Sequence, residues 1–354
     1  MSAAGAPSAL TCEQCGAEVT SDARFCEACG ADLPGEPTGI RPAVLDADPS
    51  TAAAPAPTRA ACRECGGTVD DDGYCTTCGA KAPRERDHFT EQPQSWVAGV
   101  CDRGVRHVRN EDALAVAADA APGGRTVLVV CDGVSSSQDS DVASLAAARA
   151  ARAVLLSSRA QGVGTGSALV AAIGARLSAA TDAASEAVIA TTRPDHGDSP
   201  PSCTFVAAVV EGDLVVAGVV GDSRAYWLPD DGPAAALTVD DSWAAAQIAA
   251  GTPRAVAETG PQAHAITRWL GVDAPDHAPR LTSIVAASPG WLVVCSDGLW
   301  NYCSEAEALA DLVRTTAAGV AGEPLATASA LVDWANTQGG HDNITVALAR
   351  LGGG

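Results

Sequence analysis

From Trp96 onward, two kinds of apolar segment share the chain. Short continuous apolar runs bounded by polar or turn residues predict strands at Trp96–Cys101, Leu114–Ala117, Arg125–Cys131, Cys203–Val210, Asp213–Val220, Ala225–Leu228, Leu292–Cys295 and Ile344–Leu348. Unbroken apolar runs suit strands covered on both faces. Alanine-rich stretches predict helices over about 141–159, 165–192, 242–250, 304–318 and 323–337. The segment VAAVVEGDLVVAGVV predicts a hairpin turning at Glu211-Gly212-Asp213. Strands group with strands and helices with helices, which favours antiparallel sheets flanked by helices over a doubly wound parallel fold.

Before Trp96 the texture is different. Cys12-x-x-Cys15 and Cys26-x-x-Cys29 form one quartet, and Cys62-x-x-Cys65 and Cys75-x-x-Cys78 repeat the plan. Each pair has a Gly after its second Cys (Gly16, Gly30, Gly66, Gly79), where the backbone must turn its amides toward sulfur. Four thiolates close a tetrahedral shell with no open position, so two structural Zn²⁺ sites are expected. The alternatives are disulfides or redox pairs. These modules resemble the double zinc ribbon, and zinc should supply most of their folding free energy. The expected organisation is a first ribbon over residues 1–30, a Pro/Ala-rich linker over 31–60, a second ribbon over 61–80, a connector over 81–95 and one large domain over 96–351.

The 354 residues are 47% hydrophobic and only 4% aromatic, so the core must be built from Ala, Val and Leu. A net charge of −21 argues against nucleic acid and anionic membranes as partners. No apolar run is long enough for a transmembrane helix, and the N-terminus lacks the features of a signal peptide. A cytoplasmic protein is expected, with its 13 cysteines reduced or metal-bound.

The chemistry lies in acidic residues at strand borders. Asp132, Asp222 and Asp297 each follow a predicted strand, and Asp112 and Asp342 each precede one. Strand ends are rigid and can fix a carboxylate in place. Converging carboxylates repel, and hard divalent cations with oxygen ligands are the physical remedy.

Five motifs, NEDA, CDGV, GDSR, CSDGLW and GGHDNITV, in this order and spacing, resemble the metal-dependent type 2C (PPM) serine/threonine protein phosphatases of bacteria. TVDDSW and ITRWLG fit further segments of that family. The resemblance implies an α+β fold: a four-layer α/β/β/α sandwich of two antiparallel sheets flanked by helices. It implies two or three Mn²⁺ or Mg²⁺ ions. Asp132 would bridge two of them, with the Gly133 carbonyl on one, and Asp297 and Asp342 as further direct ligands. Glu111 and Asp112 would act through bound waters, Asp222 would help to bind a third ion, and Asn343 would orient the Asp342 loop. The implied reaction is hydrolysis of phosphoserine and phosphothreonine by a metal-bridged hydroxide, so Asp132, Asp297 and Asp342 are the catalytic candidates.

The pattern departs from the family in three places. His107 stands where the family has an Arg that grips phosphate, which leaves Arg106, His107 and Arg109 as candidates for that role. Val134 stands where many eukaryotic members carry a His general acid, so the leaving oxygen would take its proton from water, such as water on the third ion, or from another group, with His107 and His341 as candidates by sequence proximity alone. Asp241 replaces a frequent His and is assigned no role. The expected partners are phosphorylated proteins, among them a Ser/Thr kinase or its substrates, with the ribbons recruiting a partner or substrate. The competing expectations are a catalytically weak phosphoprotein-binding scaffold and a zinc-ribbon adaptor with a regulatory phosphatase domain.

Overall fold

The structure is a computed structural model that describes residues 10–11, 18–19, 65–82, 84–157, 166–260, 262–263 and 265–352. The chain divides into two compact units, Met1–Ala61 and Cys62–Gly354. In the first, β1 (Leu10–Thr11) and β2 (Glu18–Val19) pair antiparallel on either side of the sequence Cys12-x-x-Cys15. Cys12, Cys15, Cys26, Cys29 and Cys62 lie outside the described residues.

The second unit contains two large antiparallel sheets. One holds β3 (His88–Gln94), β4 (Val97–Asp102), β10 (Arg224–Pro229), β11 (Ala235–Ala236), β14 (Gly290–Cys295) and β15 (Ile344–Leu351), in the order β11-β10-β14-β15-β4-β3. The other holds β5 (Ala113–Ala118), β6 (Thr126–Cys131), β8 (Phe205–Glu211), β9 (Leu214–Val220) and β13 (Arg280–Val285), in the order β13-β9-β8-β6-β5. A small pair joins β7 (Ser202–Cys203) to β12 (Leu270–Gly271). Helices α1 (Ser140–Ser157) and α2 (Gly166–Ile189) cover the five-stranded sheet. Helices α3 (Trp243–Ala249) and α4 (Arg254–Ala257) lie in the excursion between the sheets' later strands. Helices α5 (Asp297–Trp300), α6 (Ala306–Gly319) and α7 (Pro324–Gln338) cover the six-stranded sheet.

Three apolar layers follow from this stacking. Leu114, Leu128, Val130, Val206, Leu292 and Val294 pack between the sheets. Every residue of β6, β9, β10 and β14 is buried, because each strand has a sheet on one face and a helix on the other. On α1, Ala143, Ala147 and Ala151 recur at four-residue spacing and are fully buried. The expected four-layer sandwich and the hairpin at Gly212-Asp213 are both present. No described helix is long and apolar enough to cross a membrane.

The expected connector over 81–95 contains regular structure. Its second half is β3, which pairs with β4 and extends the six-stranded sheet. The segment HFTEQPQ is an edge strand with alternating exposure, and its register shifts between Glu91 and Gln94 around Pro93. Edge position and bulge together make the proline and the polar content tolerable. Edge strand β13, with most residues exposed, escapes apolar patterning for the same reason.

Candidate metal centre and active site

All five candidate aspartates emerge at one rim of the sandwich. β6 and β9 both run antiparallel to β8, so their ends, which carry Asp132 and Asp222, point the same way. Asp112 leads into β5, whose Ala113 is opposite Cys131 at the end of β6. From the other sheet, Asp297 follows β14 and begins α5, and Asp342 lies two residues before β15, in which Val346 faces Cys295. The site therefore joins both sheets.

Hydrogen bonds stitch that junction. Ser296 Oγ, just past β14, and Thr345 Oγ1, in β15, donate to Asp112 Oδ2 at 2.7 Å each. Asp112 is fully buried, and no donor reaches its Oδ1 among the described residues. Asn343 Oδ1 accepts from the Glu111 amide at 2.7 Å, while its Nδ2 donates to the carbonyls of Arg103 (2.8 Å) and Arg109 (3.1 Å). Asn343 thus ties down the loop that carries Glu111 and Asp112 as well as neighbouring Asp342. Asn343→Ala is expected to cost about 1–3 kcal/mol, because a buried amide and two carbonyls lose their partner; chemical denaturation with chelator present will measure it.

The glycines of the Asp-Gly motifs are demanded by close backbone approach. A Cβ on Gly133 would lie 2.6 Å from the Glu111 carbonyl oxygen and 2.8 Å from that of Ser140. A Cβ on Gly298 would collide with the Asn343 carbonyl. No side chain fits at either position.

The carboxylates crowd one another. Asp132 retains a window to solvent, yet its surroundings push its pKa far above the ordinary range, first by burial and then by the charges of Asp112, Asp297, Asp342 and Asp222. Burial and the charges of Asp342, Asp222 and Asp112 do the same to Asp297. Burial raises Asp112 to about 6 against the pull of the Ser296 and Thr345 hydroxyls. Burial and the Asp240 charge raise Asp222 to about 7, with Arg224 opposing them. Such a set is poorly accommodated without cations. An all-oxygen donor set with an orphaned buried carboxylate oxygen fits hard divalent ions.

Glu111 behaves differently. Burial opposes its ionisation, but Ser140, Arg109 and Ser135 outweigh that and hold its pKa below the ordinary value. Arg109 donates to Glu111 Oε1 through Nε (2.9 Å) and Nη2 (2.6 Å), and Ser140 and Ser135 add bonds of 2.6 and 2.9 Å. Of the three candidates for phosphate contact, Arg109 is therefore engaged. So is His107, which sits between Asp342 Oδ1 (3.3 Å from Nε2) and Glu111 Oε2 (3.8 Å from Nδ1). Arg106 is exposed, and its side chain has no ion pair among the described residues. His341 is exposed; its amide donates to the Tyr302 hydroxyl. Beside Asp297 and Asp342 lies a cleft of about 510 Å³, whose walls include Glu258, Trp300, Tyr302 and His341.

Two acidic residues gain structural explanations that the sequence reading did not supply. Fully buried Asp241 pairs with Arg268 (3.1 Å) and Arg280 (2.7 Å). Asp240 holds Arg224 at 2.6 Å, whose guanidinium lies 3.5 Å from the centre of the Trp300 ring. Cys131 and Cys295, next to key aspartates, are buried thiols whose pKa burial raises, so neither is an activated nucleophile.

In the second ribbon, the sulfurs of Cys65, Cys75 and Cys78 lie within 4.8 Å of one another. The amides of Cys78 and Thr77 lower the Cys75 thiol to about 6, which favours the metal-binding thiolate. Gly66 and Gly79 both take φ of +73°, the left-handed conformation that the knuckle turns require.

Comparison with known proteins is consistent with this geometry. The sequence model of the family described as Protein phosphatase 2C matches residues 103–335, and that described as Double zinc ribbon matches residues 12–87. A serine/threonine phosphatase stp from Listeria innocua is 32% identical over 147 residues, covering 41% of this chain and 55% of that protein. The chain spans about half the length of the curated relatives it matches. The Mycobacterium tuberculosis serine/threonine phosphatase PstP/Ppp superposes with a TM-score of 0.57 at 27% identity, covering 72% of this chain and 97% of the other. The catalytic domain of PstP in complex with 2 manganese ions superposes with a TM-score of 0.52 at 26% identity, covering 72% and 98%.

Proposed function

The chain belongs to the protein phosphatase 2C family, and from that premise we propose that it hydrolyses phosphoserine and phosphothreonine in proteins with the help of divalent cations. The observation that carries this reading is the meeting of Asp112, Asp132, Asp222, Asp297 and Asp342, from two sheets, at one rim. Asp132, the Gly133 carbonyl, Asp297 and Asp342 are the direct ligands in this reading, with Glu111 and Asp112 acting through waters and Asp222 serving a third ion. Bound divalent cations would acidify water and neutralise phosphoryl charge. Mn²⁺ is the favoured ion, by likeness to the PstP catalytic domain with its two manganese ions.

The chain's own residues do the positioning. Ser296 and Thr345 fix Asp112 Oδ2 and leave Oδ1 for a cation or its water. Arg109, Ser135 and Ser140 hold Glu111 ionised and oriented. Arg106, which unlike Arg109 and His107 has no ion pair among the described residues, is in this reading the residue that grips the phosphate. The cleft beside Trp300 and Tyr302 receives the polypeptide that flanks the phosphoresidue. The complete acidic set favours turnover over a binding-only scaffold.

In this reading Cys65, Cys75 and Cys78 would hold one structural zinc with Cys62 as the fourth ligand, and Cys12, Cys15, Cys26 and Cys29 would hold a second. The ribbons recruit a partner or substrate, such as a phosphorylated Ser/Thr kinase or its targets, in the cytoplasm. The test is phosphate release from phosphoserine and phosphothreonine peptides by the full chain with Mn²⁺, with Mg²⁺ and with chelator. Release with Mn²⁺ that chelator abolishes is expected; no release at saturating Mn²⁺ would refute the enzymatic reading.

A further inference from the structure

The loop that carries Glu111 and Asp112 is braced from an unexpected direction. Arg86 lies in a single 3-10 turn, Glu85–Asp87, eight residues after Cys78 (86 − 78 = 8). Its Nη2 donates to the Asp112 carbonyl at 3.0 Å and to Ser144 Oγ at 3.1 Å. Ser144 Oγ in turn donates to the Glu111 carbonyl. The side chain of Asn110 returns a bond of 2.9 Å to the Arg86 carbonyl. One guanidinium and one hydroxyl therefore hold the carbonyls of both acidic residues, and the turn is fastened back by the loop it supports.

The turn itself is pinned. The Arg103 amide donates to the Asp87 carbonyl at 2.8 Å, the Arg84 amide to Asp87 Oδ2 at 2.9 Å, and His88 Nδ1 meets Asp102 Oδ2 at 2.7 Å. The Arg86 side chain is largely enclosed; burial lowers its pKa, opposed by the charges of Cys101, Asp141 and Asp112. Arg86 lies inside the span that matches the double zinc ribbon (12–87) and upstream of the span that matches the phosphatase family (103–335).

We propose that Arg86 is a positioning residue of the cation site, supplied by the junction between the second ribbon and the sandwich. It touches neither substrate nor ion. It fixes the backbone that aims the Glu111 and Asp112 side chains, and so sets how tightly the site holds divalent cations. Outer contacts that orient metal-binding side chains typically govern affinity by 10–100-fold. The inference rests on the proposed cation site and concerns a residue outside it.

The test uses the full chain and titrates Mn²⁺ by the electron paramagnetic resonance signal of the free ion, alongside the Mn²⁺ dependence of peptide dephosphorylation. Arg86→Gln is expected to raise the half-saturating Mn²⁺ concentration about tenfold in both readouts, with KM at saturating Mn²⁺ unchanged. Arg86→Lys, which retains a donor for the Asp112 carbonyl, should recover a large part of the loss. Ser144→Ala, which removes the Glu111 contact, should reproduce it. Unchanged Mn²⁺ affinity in Arg86→Gln would overturn the proposal. So would a loss that the Lys variant fails to relieve and that tracks a falling melting temperature, which is the mark of a merely structural role. A wild-type chain that binds Mn²⁺ but releases no phosphate refutes the enzymatic reading alone, and the binding comparison still decides the role of Arg86.

Discussion

Asp132→Asn is expected to lower Mn²⁺-dependent turnover by on the order of 10³-fold while raising the melting temperature of the cation-free protein at pH 8. The two effects have one cause. Asp132 is crowded by four other carboxylates, and burial with their charges drives its pKa far above the ordinary range. At pH 8 and without cations, its ionisation is an electrostatic cost to the folded state. Asn keeps the size and removes the charge, so the fold relaxes. In the proposed reading the same exchange also removes a direct cation ligand, which would lower Mn²⁺-dependent turnover. A core residue whose mutation simply damages the fold would lower activity and melting temperature together. Peptide turnover and calorimetry with chelator on the same preparation separate the cases; a lower melting temperature in the variant would contradict the crowding argument.

The second large effect is on the pH dependence of stability. Asp112 and Asp222 are raised to about 6 and about 7, from an ordinary 3.8. In that window the folded chain holds protons that the unfolded chain has released. Stability therefore falls as pH rises from about 4 to about 7 when cations are absent. Cations that bind the ionised carboxylates reverse the trend, and the rise in melting temperature caused by saturating Mn²⁺ should grow across the same window. Taken independently, these two shifts correspond to a swing of roughly 6 kcal/mol over that window, since each pKa unit corresponds to about 1.4 kcal/mol. Melting curves at several pH values, with chelator and with Mn²⁺, will show it. A cation-free protein that gains stability as pH rises through this window would contradict the raised values.

Much of the site was legible because a carboxylate at the end of an apolar strand announces itself. Asp132, Asp222 and Asp297 each sit where a buried run stops and Asp342 just before one begins, and the structure brings all of them together with Asp112. The apolar runs also placed eight strands, because burial on both faces leaves no polar alternation to confuse the pattern. What stayed hidden was relational or polar. Edge strands β3 and β13 are half exposed and carry few of the signals that mark a core strand. The two Asn343 contacts that lock the Arg109–Glu111 loop span more than 230 residues, and no local pattern encodes them. Arg86 reads as one charge among several in a solvated stretch; only the fold shows it turned inward. Asp241, with no role assigned from sequence, could have been suspected only by pairing it with arginines 27 and 39 residues away (268 − 241 and 280 − 241).

The six-stranded sheet has a practical consequence for anyone who crops this protein. β4 lies just upstream of the matched catalytic span, yet it pairs with β15 along six residues, from Asp102 opposite Ile344 to Val97 opposite Ala349. A fragment started at residue 103 would strip that partner away. The amides and carbonyls of β15 would be left as a raw, apolar border, and such borders recruit other chains. Self-association of the shortened piece would then reflect where the scissors fell, not how the intact protein behaves.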